Sequence, residues 1–125
     1  MEHEHTKGLY GQITHTELSS TDPEATRAWC ADVLGWQFQP PFPTPAGEYH
    51  LYTYAERAGG GIRWTGDGEQ PGVLPFVHVE DTQESLDRAL AAGAEQVAGV
   101  ERIAPEVSVA VVRAPGGVMI GLSGP

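Results

Sequence analysis

The sequence predicts an α+β fold in which one strand–helix–strand–strand–strand pattern is used twice. Three observations carry that prediction. The chain has 125 residues, 40% of them hydrophobic, which is enough for one domain with a packed core. Two helix patterns end on glycine signals, Leu34-Gly35 and Ala92-Gly93, at equivalent places in the two halves. Each helix pattern is preceded by one strand-like stretch and followed by three. The expected organisation is a flexible tail over 1–9 and one domain over 10–124, with module one at 10–66 and module two at 72–124.

In the tail, His3 and His5 could touch a metal only as a loose pair. Residues 11–18 alternate as a strand, with Ile13, His15 and Glu17 on one face and Thr14, Thr16 and Leu18 on the other. Asp22 then caps a helix, because its carboxylate can accept from orphan amides of the first turn. Pro23 at the first helical position forfeits no hydrogen bond. Ala25, Ala28, Trp29 and Val33 fall near helical spacing for one buried stripe. Core filling is the preferred reading for Trp29 and for Trp36, which opens the next strand with Phe38. Pro40, Pro41, Pro43 and Pro45 predict a stiff loop. Residues 48–55 are aromatic and strand-like. Gly59-Gly60-Gly61 marks a turn or a close backbone approach, 62–65 a short strand, and 66–72 a linker.

Module two opens with a strand over 73–79. Asp81 and Glu84 then suggest a capping box, and Leu86, Ala89, Leu90 and Ala92 an apolar helix face. Strands are expected from Val97, over 107–113, and over 118–122 after the Pro115-Gly116-Gly117 turn.

Seven basic residues face seventeen acidic ones, for a formal charge of −10. That argues against nucleic acid and against anionic membrane surfaces as partners. No apolar run approaches the roughly 18–20 residues of a membrane span, and the start of the chain has no signal-peptide core, so a cytoplasmic protein is expected. The single Cys30, inside a helix pattern, reads as a buried, inert thiol.

The two βαβββ patterns, the His-x-Glu-x-x-x-x-Asp-Pro segment from His15 to Pro23 and the Leu34-Gly35-Trp36 helix end together resemble the vicinal oxygen chelate superfamily. That group includes glyoxalase I, bleomycin- and fosfomycin-resistance proteins and extradiol dioxygenases. Module two agrees through Phe76-Val77-His78-Val79-Glu80-Asp81 and Arg113-Ala114-Pro115-Gly116-Gly117-Val118. The resemblance covers about residues 11–122. It implies a curved mixed sheet enclosing a concave pocket, and a homodimer, since short two-module members commonly pair. Of the superfamily's metal-ligand positions, the one in the first strand matches His15. Those opening module two and in the final strand fall on Leu74 and Gly121, and the strand near Gly61 offers Arg63 and no carboxylate. One histidine does not hold a catalytic ion, which needs about three protein ligands. No cofactor is therefore expected, and the nearest likeness is to metal-free, drug-sequestering or glyoxalase-like members. A metal, if bound, would use His15 with Glu17 or His78 in an atypical site.

Strand phase supplies the candidate site. Leu74, Phe76 and His78 share a face, Met119 and Gly121 face the same way, and the repeat puts His15 and Glu17 on the corresponding side. His15, Glu17 and His78 are the candidates for acid–base work. His15, Glu17, His50, Tyr52, Trp64, Phe76, His78 and Met119 are the expected ligand contacts. Tyr49 points opposite to Tyr52 and Tyr54, and the sequence leaves open which of them meets the ligand. The expected function is binding of a small apolar or aromatic molecule, of the sequestration or resistance type. The alternative is a lyase, isomerase or dioxygenase with an atypical metal or acid–base site.

Overall fold

The computed structural model describes residues 8–56 and 58–125. His3 and His5 lie outside the described residues, as does most of the predicted tail. The described residues form two helices and nine strands, and they divide into two compact units, 15–73 and 74–125, the second joined by the chain's start up to Thr14.

In the first unit, β1 (Ile13–Ser20) leads into α1 (Pro23–Leu34). Asp22 caps this helix, accepting from the Ala25 amide at 3.1 Å. Gly35 ends it in the left-handed region at φ 72°, where a side chain would be strained. The chain returns through β2 (Gln37–Phe38), β3 (Phe42–Thr44), β4 (Gly47–Ala55) and β5 (Ala58–Trp64). The strand order is β2-β4-β5-β1, with β3 on the outer end of β4 and the β1–β5 pair parallel.

Two expectations change here. The proline stretch is not all loop: Pro43 pairs with Glu48 within β3, an edge strand that tolerates a missing amide donor. The three glycines lie inside β5, so of the two readings the close approach holds. A side chain at Gly60 would overlap the Thr16 carbonyl oxygen, and one at Gly61 would overlap the Tyr49 ring.

The predicted apolar stripe of α1 is also corrected. Trp29 and Val33 are each 56% exposed, and Ala25 and Ala28 face outward too. The inward face is Thr26, Arg27 and the buried Cys30. Specific bonds override hydrophobic spacing. The Thr26 hydroxyl lies 2.7 Å from that of Ser20, and Arg27 donates to the Gln39 carbonyl at 3.0 Å while lying over the Phe38 ring. Burial raises the Cys30 thiol pKa, in keeping with an inert group. Trp36 does pack, stacking on Tyr52 at 4.2 Å between ring centroids.

The second unit repeats the plan with β6 (Gly72–His78), α2 (Thr82–Ala91), β7 (Glu95–Ala104), β8 (Val107–Arg113) and β9 (Met119–Gly124), in the order β6-β9-β8-β7. Asp81 caps α2 through the Glu84 amide at 2.9 Å. Leu86 packs with Ala110, Val112 and Leu122, whereas Leu90 and Ala92 are exposed. Thr82 is fully buried because its hydroxyl donates to the Ser108 carbonyl. The registers match: Glu17 lies opposite Gly61 in the β1–β5 pair as Phe76 lies opposite Gly121 in the β6–β9 pair. His15 and Leu74 are therefore structurally equivalent. No helix among the described residues is long and apolar enough to cross a membrane.

Candidate functional site

Module one carries a connected polar network on one face of its sheet. β1 contributes His15 and Glu17, two residues apart and so on the same side. β4 contributes Tyr49, whose ring lies where Gly61 of β5 leaves room. Arg63, two residues beyond Gly61, reaches back to β1. The Tyr49 hydroxyl donates to Oε2 of Glu17 at 3.1 Å and lies 2.9 Å from Nε2 of His15. Nε of Arg63 donates to Oε1 of Glu17 at 2.8 Å, and its Nη1 and Nη2 grip Glu69 at 2.9 and 2.6 Å.

The chemistry fixes the protons. A carboxylate only accepts, and Tyr49 has one proton, which goes to Glu17. The phenol oxygen must then accept from His15, which places the imidazole proton on Nε2. Burial holds His15 below the usual imidazole range, against the raising effect of Glu17, so the ring is neutral at pH 7. Burial first, then the charge and hydrogen bond of Glu17, push the Tyr49 phenol far above its usual range. The bonds to Glu69 and Glu17 keep Arg63 firmly charged, and Arg63 in turn holds the exposed Glu69 carboxylate below its usual range. The Phe42 ring, 41% exposed, packs on Tyr49 at 5.6 Å and gives this face an apolar wall.

The expected ligand residues are thus sorted. His15 and Glu17 are brought together through Tyr49. His50, Tyr52 and Trp64 lie on the opposite, helix-side face of β4 and β5, because β4 is phased by Tyr49. His50 is 2% exposed and accepts at Nδ1 from Arg27 of α1 at 3.2 Å. Tyr52 is buried as well and donates to the Thr16 carbonyl at 2.6 Å. Their expected place as ligand contacts beside His15 is therefore corrected, and of the tyrosines whose phase the sequence left open, Tyr49 is the one on that face. The missed signal was the glycine triplet, which makes room for rings on both faces of β5 and so places Tyr49 against β1.

His78, Phe76 and Met119 belong to module two. His78 is 4% exposed, its backbone is bonded to Gly11 and Gln12, each at 2.8 Å, and its ring stacks on Tyr10 at 5.4 Å. Phe76 lies against Gly121, and Met119 shares that face by strand alternation. Among the described residues, no three His, Cys, Asp or Glu side chains are grouped to hold a metal ion.

No family model matches the chain. A glyoxylase-like domain-containing protein of Didymella fabae is 25% identical over 106 residues, covering 79% of this chain and 81% of that one. Methylmalonyl-CoA epimerase from Mycobacterium tuberculosis superposes with a TM-score of 0.72 at 17% identity, over 94% of this chain and 89% of that one. A glyoxalase/bleomycin resistance protein/dioxygenase superfamily member from Vibrio splendidus gives 0.60 at 16% identity, over 87% and 94%. With its doubled βαβββ pattern and matched registers, the chain has the fold of the vicinal oxygen chelate superfamily and is similar to a glyoxylase-like domain protein.

Proposed function

We propose that this glyoxalase-like chain binds a small apolar or aromatic molecule on the face of module one that carries His15, Tyr49 and Phe42, without a resident divalent metal. One observation carries the reading: the carboxylate beside His15 is already bonded to protein at both oxygens. Both Glu17 oxygens are occupied, Oε1 by Arg63 and Oε2 by Tyr49, and Nε2 of His15 is held at the Tyr49 hydroxyl. A cation placed there would have to displace the charged Arg63. Leu74 and Gly121, at two further positions implied by the resemblance, offer no side-chain donor. The exposed Phe42 ring beside Tyr49 supports a flat apolar ligand. Sequestration fits this arrangement, and the proposal includes a homodimer, which size-exclusion chromatography checks.

Elemental analysis of protein purified without chelator tests the metal-free reading. Substoichiometric divalent metal is expected. One tightly held ion per chain would overturn it.

A second reading, proton transfer at His15, is favoured by the neutral, tautomer-fixed imidazole. An epimerase among the structures of the same fold makes it worth testing. If it holds for a substrate found by screening, His15→Ala abolishes turnover and leaves the circular dichroism spectrum unchanged. Unchanged turnover would remove it.

A further inference from the structure

The helix-side face of module one holds a second feature that the proposed function does not use. An open groove of about 330 Å³ runs past the start of α1 and the β3–β4 turn, lined among others by Glu24, Glu48, His50 and Trp64. Its polar floor is His50, which is 2% exposed. A guanidinium only donates, so the 3.2 Å contact with Arg27 makes Nδ1 the acceptor and leaves the proton on Nε2. Among the described residues, Nε2–H has no protein acceptor, yet no fully buried side-chain nitrogen lacks a partner, so this N–H opens onto the groove that His50 lines. It is a donor held in place by Arg27 with nothing in the described chain to receive it.

The rest of the lining says what would. Trp64 is 41% exposed and offers an indole face. Glu24 and Glu48 are exposed carboxylates on a chain of formal charge −10, so the groove disfavours anions and favours cations. We propose that this groove binds a small organic ammonium compound bearing an oxygen. The cationic head would lie against Trp64 near Glu24 and Glu48, and the oxygen would accept from Nε2–H of His50.

Choline is a suitable probe, and 3,3-dimethyl-1-butanol is its uncharged isostere. Titration of the full chain, followed by amide shifts, should give saturable choline binding that maps to Glu24, Glu48, His50 and Trp64. The isostere should bind about tenfold more weakly. Trp64→Leu and Glu48→Gln alter exposed side chains, so the fold should persist, and each should weaken choline several-fold. Tyr49→Phe, on the other face of β4, should leave choline binding unchanged, which separates this site from that of His15. Absence of saturable shifts, equal affinity for the isostere, or full affinity in both Trp64→Leu and Glu48→Gln would overturn the proposal.

Discussion

The Tyr49 hydroxyl lies 2.9 Å from Nε2 of His15, and the two rings are parallel to within 6°. A phenol that gives its proton to Glu17 can only accept from the imidazole, so this contact determines the tautomer of His15 as well as its position.

The first prediction concerns pH. His15 has a native pKa below its unfolded value near 6.5, chiefly because it is buried. Above about pH 6.5 neither state carries the extra proton. As pH falls below that value the unfolded chain is protonated first, so stability falls until the lower native pKa is reached. Urea unfolding between pH 7.5 and 5 should show the native chain losing stability relative to His15→Gln, with a slope of at most about 1.4 kcal/mol per pH unit. Parallel curves would contradict the assignment.

The glycine triplet gives a graded prediction. At Gly60 a methyl group meets the Thr16 carbonyl oxygen, which is backbone of the paired strand and cannot step aside. At Gly61 it meets the far end of the Tyr49 side chain, which can swing away. Gly60→Ala should therefore be the more destabilising, by about 3 kcal/mol or more against about 1–2 kcal/mol for Gly61→Ala. In Gly61→Ala the His15 side-chain resonances should also shift as Tyr49 leaves. Thermal unfolding and NMR check the two halves.

Helix α1 allows a contrast between a polar and an apolar residue. Arg27 binds the Gln39 carbonyl and His50 and covers Phe38, so Arg27→Met should cost about 1–3 kcal/mol. Trp29 is 56% exposed, and Trp29→Gln should change stability by no more than about 0.5 kcal/mol. The reverse order in urea unfolding would restore the helix face read from hydrophobic spacing.

Glu17 should be felt at Tyr49. Its charge and hydrogen bond both raise the phenol pKa, after burial. In Glu17→Gln the tyrosine absorbance titration should gain a group ionising at lower pH than in the native chain. An unchanged titration would place Tyr49 outside the influence of Glu17.

Much of this was legible in the chain. Asp22-Pro23, Leu34-Gly35 and Asp81 are local signals, in which one residue satisfies one backbone need, and they locate both helices. The duplicated pattern then follows from order alone. The inward face of α1 was not legible, because Thr26 and Arg27 are turned inward by polar partners, Ser20, Gln39 and His50, that hydrophobic spacing does not register. Spacing sees only that Trp29 and Val33 are apolar. The phase of β4 was open for a similar reason, since Tyr49 and Tyr52 are the same residue type on opposite faces. What decides between them is the room over Gly61 and the bond from Tyr49 to Glu17. Glu69 escaped notice because its partner Arg63 gave no sequence sign of bridging two carboxylates.

The most direct test is a fragment screen by two-dimensional amide NMR on EDTA-treated protein. Small aromatic fragments should shift the amides of His15, Phe42, Tyr49 and Gly61, equally with and without chelator. Shifts at these residues that appear only when a divalent metal is added, or fragment binding that leaves them all unmoved, would contradict metal-free binding on this face.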